Sequence, residues 1–137
     1  MKTALNALLT IFFCSALSHP VQAGQVADIQ STLAVTRQHT MVMLSEADRT
    51  VLEMRYEEAL KSSKDLDALL DAAMKNAALQ PKLTQFKAVW EAFKKTRDDE
   101  IIPAMMSGAR DQARGLAQGV QAPRFKKMNE LLESLPQ

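Results

Sequence analysis

Arg97 occupies a position that suggests anion binding. It follows Phe93 by four residues and precedes Ile101 by four, so in a helix the three side chains share one face. A guanidinium among apolar side chains must be paired or must line a polar pocket. In a pocket it would bind a carboxylate through two parallel hydrogen bonds. The alternatives are an internal salt bridge, with Glu57 or Glu58 as the candidate partner, and a side chain that extends along the surface to water.

Two threonines interrupt an apolar helix face in the same way. Thr36 and Thr40 occur where the spacing calls for apolar residues, and Arg37 follows Thr36 directly. Hydroxyl groups next to a guanidinium would form a polar layer inside the fold. We therefore predict Thr36, Arg37, Thr40 and Arg97 as ligand-binding residues.

Residues that could support catalysis or metal binding are sparse. Residues 98–100 are three consecutive carboxylates, but neighbours on a helix point about 100° apart and do not converge. They are expected to be solvated. His39 is the only histidine after the predicted leader, and the single cysteine lies within that leader. We predict no enzyme, no metal site and no cofactor. A b-type haem held by His39 and Met128 is the alternative considered.

The first segment has the pattern of a secretory signal peptide. Lys2 precedes an uncharged apolar run from Ala4 to Leu17, and Val21-Gln22-Ala23 supplies small residues before a cleavage site. The run is shorter than the roughly 20 residues of a spanning helix. We therefore expect cleavage after Ala23, export to the periplasm, and a single domain over residues 24–137. The net charge of +1 excludes nucleic-acid binding by bulk positive charge.

The remaining chain favours helix, because Ala and Leu greatly outnumber Val and Ile. Four segments repeat apolar positions at steps of three and four. This pattern predicts an all-α, antiparallel up-down-up-down four-helix bundle. The four seams are Val26, Ile29, Leu33, Thr36, Thr40 and Met43; Leu52, Tyr56, Ala59, Ser63, Leu66, Leu70, Ala73 and Ala77; Leu83, Phe86, Trp90, Phe93, Arg97, Ile101 and Ala104; and Ala113, Leu116, Val120, Met128, Leu131 and Leu135.

Polar residues, proline and glycine mark the helix boundaries. Ser45–Asp48 predicts a turn, with Asp48 as the cap of the second helix. Pro81 suits the first turn of the third helix, and Gly108 suits a left-handed residue that ends it. The competing interpretation of the first half is one continuous helix over residues 26–80.

Two further prolines fall inside helical patterns. Pro103 predicts a kink or an early stop in the third helix. Pro123 predicts a bend in the fourth helix, with a local opening of the bundle as the functional alternative.

The second half of the chain resembles a known family. The run Phe86–Arg97, followed by Ile101-Ile102 and Gly108, is similar to the third helix of the four-helix-bundle ligand-binding domain of methyl-accepting chemotaxis receptors. The Gly-x-x-x-Pro-x-Phe spacing from Gly119 to Phe125 is similar to that of the family's alanine-rich fourth helix. Unlike those receptors, this sequence shows no second apolar span and no signalling module, so we expect a free-standing copy of the sensor bundle.

The resemblance implies a non-enzymatic sensor that binds a small ligand or a membrane receptor or kinase. It also implies a homodimer that pairs through the first helices, with Val35, Met41 and Val42 at the contact. A periplasmic helical chaperone or stress-adaptor protein is the alternative from another functional class.

Overall fold

The computed structural model describes residues 19–136. Four helical segments run up and down in turn, which confirms the predicted all-α four-helix bundle. The first two segments are single helices, and each of the other two contains a π-helical turn between α-helical parts. Their bounds are α1 His19–Met43; α2 Arg49–Ala73; α3 Gln80–Thr96, a first π turn Arg97–Ile101 and α4 Ile102–Met106; and α5 Arg110–Leu116, a second π turn Ala117–Gln121 and α6 Ala122–Glu133.

Most of the predicted leader, residues 1–18, lies outside the described residues. Its last five residues, 19–23, form the start of α1. Gln22 there makes two long hydrogen bonds, donating to the Pro136 carbonyl at 3.3 Å and accepting from Asn76 at 3.4 Å. Over residues 19–136, no helix has the length and apolar character needed to cross a bilayer.

The turn between α1 and α2 excludes one continuous helix over residues 26–80. The Asp48 carboxylate accepts a hydrogen bond from the Val51 backbone N–H at 3.1 Å, as the sequence predicted. This contact satisfies one of the backbone donors that a helix start leaves unpaired. Pro81 lies in the first turn of α3, where its missing N–H costs nothing.

Gly108 has a φ of 82°, which confirms the predicted left-handed residue between the third and fourth segments. A Cβ at this position would meet no atom within 4 Å. Any cost of a side chain here therefore comes from the backbone conformation alone.

Replacing Gly108 with Ala is expected to lower the free energy of unfolding by about 1 kcal/mol, because residues with a Cβ disfavour the left-handed region. Gly115, which is helical and equally free of close neighbours, is the matched control. Gly115→Ala should raise the free energy of unfolding by roughly 0.5–1 kcal/mol. Urea unfolding followed by circular dichroism measures both changes. If the two substitutions change the free energy of unfolding in the same direction, the backbone explanation is wrong.

The predicted seams match the buried faces in two segments and fail in part in the other two. Every seam position of the first and third segments is buried. In the second, Ala77 lies beyond the end of α2 and is exposed. In the fourth, Val120 is exposed, and Ala117 and Gln121 are buried in its place. The second π turn causes this shift, because it adds a residue to one turn of the helix.

The π turns explain how the bundle accommodates its two interior prolines. Ile102 donates its N–H to the Arg97 carbonyl and Ala122 donates to the Ala117 carbonyl, each five residues back. Pro103 and Pro123 follow directly. In a regular α-helix a proline ring clashes with the carbonyl four residues earlier. Widening the preceding turn relieves that clash, so both segments continue past the proline.

Candidate functional site: a buried polar layer

A layer of buried polar side chains crosses the bundle at one level, and all four segments contribute to it. It separates two apolar clusters that we call the large cluster and the small cluster. The polar layer consists of Thr36, Thr40, Ser62, Ser63, Thr96, Arg97 and Gln121. The large cluster consists of Val26, Ile29, Leu33, Leu66, Leu70, Ala73, Leu79, Leu83, Phe86, Trp90, Phe93, Met128, Leu131, Leu132 and Leu135, and the small cluster of Met43, Leu44, Leu52, Ile101, Ile102, Ala104, Met105, Ala113 and Ala117.

Arg97 is fully buried at the centre of the polar layer. Its Nε and Nη2 donate to the two carboxylate oxygens of Asp98, at 2.7 and 3.1 Å. Its Nη1 donates to the Ser63 hydroxyl at 2.7 Å. The guanidinium therefore has an internal carboxylate partner. That partner is Asp98, not Glu57 or Glu58.

The surroundings of Asp98 differ from those of the next two acidic residues. The Asp98 side chain is 32% exposed, whereas Asp99 and Glu100 face solvent. Only the first member of the acidic run therefore contacts the layer. Glu58 lies elsewhere, where its Oε2 contacts Arg55 Nη1 at 2.8 Å and His39 Nδ1 at 3.1 Å.

The two predicted threonines lie in the layer beside the serines of α2. The Thr36 hydroxyl is 2.9 Å from the Ser62 hydroxyl, and Thr40 donates to the Thr36 carbonyl at 3.3 Å. Because Ser62 and Ser63 are consecutive, the threonines of α1 and Arg97 share one layer through α2. Among the described contacts, no hydrogen bond joins them directly.

Arg37 is not part of this layer. Its guanidinium carbon lies 4.4 Å from the centre of the Phe125 ring, between α1 and α6. The described hydrogen bonds and ion pairs give Arg37 no carboxylate or carbonyl acceptor. The structure therefore places three of the four predicted residues together and the fourth beside the layer, on a neighbouring face of α1.

Polar contacts between the third and fourth segments continue the layer. The Gln121 amide donates to the Phe93 carbonyl at 2.7 Å. Arg124 Nη1 donates to the Ala92 carbonyl at 3.1 Å and to the Thr96 hydroxyl at 2.8 Å. The sequence did not predict these residues, because regular helical spacing puts Val120 on the seam and leaves Gln121 off it.

Tyr56 connects the layer to its solvent-facing edge. Its hydroxyl donates to Asp98 Oδ1 at 3.3 Å. Burial, followed by the negative charge of Asp98, raises the pKa of the Tyr56 phenol, while the positive charge of Arg97 opposes that rise. Folding therefore favours the protonated phenol, and its stabilising contribution is lost as the pH rises through the raised pKa.

Ultraviolet titration can test this arrangement, because Tyr56 is the only tyrosine in the chain. We expect tyrosinate absorbance to appear at a higher pH than in the unfolded protein. Asp98→Asn should lower the pKa of Tyr56, since it removes a negative charge and leaves Arg97 unpaired. Arg97→Met should raise the pKa of Tyr56. If the two variants shift the pKa of Tyr56 in the same direction, the geometry is contradicted.

The residues considered for haem binding have other surroundings. His39 Nδ1 lies against Glu58, and Met128 is fully buried in the large cluster. Within residues 19–136, no group of three or more histidine, cysteine, aspartate or glutamate side chains is arranged to hold a metal ion.

Comparison with protein-family models, with curated proteins and with solved structures finds no match for this chain.

Proposed function

We propose that this chain is a non-enzymatic, periplasmic sensor-type bundle that binds a small carboxylate ligand and signals to a membrane receptor or kinase. The observation that carries the proposal is the state of the two candidate arginines. Arg97 already has a bidentate carboxylate partner, whereas Arg37 has no acceptor among the described contacts. Of the four predicted residues, Arg37 is therefore the one available to anchor a ligand.

The contact with Phe125 suits Arg37 to this role. A guanidinium over an aromatic ring is held in one orientation by the cation–π attraction. Its N–H donors form a planar fork, which matches the two oxygens of a carboxylate. Thr36 precedes Arg37 in the chain and lies in the polar layer. Ligand binding at Arg37 would therefore act on the layer through α1.

Thermal unfolding in the presence of acetate and succinate tests the ligand proposal. We expect the midpoint to rise with carboxylate concentration, because a ligand that binds only the folded state stabilises it. Arg37→Gln should abolish the rise. Arg49→Gln is the matched control, since Arg49 is exposed and pairs with Glu53 within α2. No rise with either probe, or the same rise in Arg37→Gln, would contradict Arg37 as the anchor.

The outer face of α1 supports the proposed pairing of two copies. Of nine exposed residues between Gly24 and Met43, only Asp28 is charged, and Val35 and Met41 are among the apolar ones. An outer helix face with a single charged residue favours contact with another protein surface. In a twofold homodimer through α1, each subunit would bury the same face of α1.

Sedimentation at micromolar concentration tests this contact. We expect a dimer that Val35→Glu converts to monomer, because the change would place a charge in the apolar contact. Ala88→Glu is the control, since Ala88 is exposed on α3. A monomer with and without carboxylate would contradict the dimer.

The proposed location requires removal of the leader after Ala23. The two contacts of Gln22 are long, and the one to Pro136 is exposed, so their loss would cost the bundle little. Sequencing the amino terminus of the protein from a periplasmic fraction should show Gly24 first. A chain that retains residues before Gly24 would contradict this cleavage site.

A further inference from the structure

We propose that the polar layer divides the bundle into two units, and that the unit around the small cluster opens locally while the large cluster stays folded. In each segment, the buried face changes from apolar to polar and back to apolar at the layer. The change falls between Leu33 and Met43 in α1, and between Phe93 and Ile101 in the third segment. The two cores therefore form separate apolar clusters, and hydrogen-bonding groups lie between them.

The two clusters differ in how much apolar surface they bury. The large cluster contains three buried aromatic side chains, Phe86, Trp90 and Phe93. Three of the nine members of the small cluster are alanines, and its aromatic neighbour Tyr56 is only partly buried. Since stabilisation scales with the apolar area removed from water, the small cluster holds its helices more weakly.

In the third and fourth segments, the helical parts that pack around the small cluster are also short. The five-residue α4 and the seven-residue α5 are separated from α3 and α6 by the two π turns. Helices of this length do not persist without tertiary packing. Loss of the small cluster would therefore release both helices together.

Hydrogen bonds anchor the boundary on the side of the large cluster. Gln121 and Arg124 donate to the Phe93 and Ala92 carbonyls in α3. These contacts hold α6 against α3 without any contribution from α4 or α5. The contact between α3 and α6 can therefore stay intact when the small cluster opens.

Native-state hydrogen exchange in increasing urea tests the proposal, because it separates local openings from global unfolding. The amides of Ala104–Met106 and Ala113–Leu116 should be protected at least tenfold less than those around Phe86–Trp90. Their exchange should also depend less on urea, because the opening exposes less surface. One common protection factor and urea slope for all buried amides would overturn the proposal.

A matched pair of variants makes the test sharper. Ile29 and Ile101 are both fully buried, one in each cluster. Ile29→Val should lower protection around the large cluster roughly two- to tenfold and leave the amides of α4 and α5 unchanged, because Ile29 stays packed in the open state. Ile101→Val should lower protection in both regions.

If the bundle is one cooperative unit, Ile29→Val will lower protection by the same factor everywhere, and that result overturns the proposal. Leu70→Ala, at another fully buried position of the large cluster, repeats the test with a larger loss of packing.

Discussion

Replacing Asp98 with Asn is expected to lower the free energy of unfolding by about 3–5 kcal/mol. The change removes the only carboxylate that contacts Arg97 among the described ion pairs and leaves a fully buried guanidinium with no countercharge. A guanidinium stays charged in proteins, so deprotonation does not relieve the missing countercharge. Urea unfolding followed by circular dichroism measures the loss.

Replacing the other member of the ion pair should lower the free energy of unfolding by less. Arg97→Met leaves Asp98 without its partner, but Asp98 is 32% exposed and can be hydrated. We expect a loss of about 1–3 kcal/mol. The double variant Arg97→Met/Asp98→Asn should be more stable than Asp98→Asn alone, because it contains no unpaired buried charge.

Asp99→Asn is the matched control for this series. Asp99 is adjacent in sequence, but it is exposed and pairs with Lys95 one helical turn away. Asp99→Asn should lower the free energy of unfolding by less than about 1 kcal/mol. If Asp98→Asn costs no more than Asp99→Asn, then Arg97 is not held by its internal pair, and it returns as a candidate ligand anchor.

Replacing Trp90 with Ala is expected to lower the free energy of unfolding by about 3–5 kcal/mol. Trp90 is fully buried in the large cluster, and its ring stacks on Phe93 with the centroids 5.7 Å apart. Its indole N–H donates to Asp67 at 2.7 Å, and Lys94 lies 5.3 Å from the ring centroid. The change therefore removes packing, a hydrogen bond and a cation–π contact together.

Trp90→Phe separates these contributions. It keeps an aromatic ring in the core and removes the indole donor. The Asp67 carboxylate still contacts Lys94 in this variant and therefore remains paired. We expect a loss of about 1.5–3 kcal/mol from the hydrogen bond, because its acceptor is a charged carboxylate, with any excess due to the smaller ring. A Trp90→Ala loss no larger than that of Trp90→Phe would contradict the packing role of the indole.

Local residue patterns are sufficient to predict the helices and most of the buried positions. Steps of three and four bring apolar residues to one helix face, and that face must be buried to remove it from water. The same rule placed Thr36, Thr40, Ser63 and Arg97 inside the bundle. Asp48 and Gly108 also acted as predicted, because capping and left-handed backbone geometry depend on the residue itself and its immediate neighbours.

The tertiary structure alone decided the register of the fourth segment and the partners of the polar groups. The second π turn moved Val120 outward and Gln121 inward, and no local spacing rule includes that added residue. Asp98 became the partner of Arg97 although neighbours on a regular α-helix diverge. Both lie in the first π turn, and Arg97 also donates to Ser63 of α2. The sequence places Arg97 on an apolar seam and Arg37 beside one, and it predicts both as ligand-binding residues. Packing then gives Arg97 a carboxylate partner and Arg37 an aromatic ring.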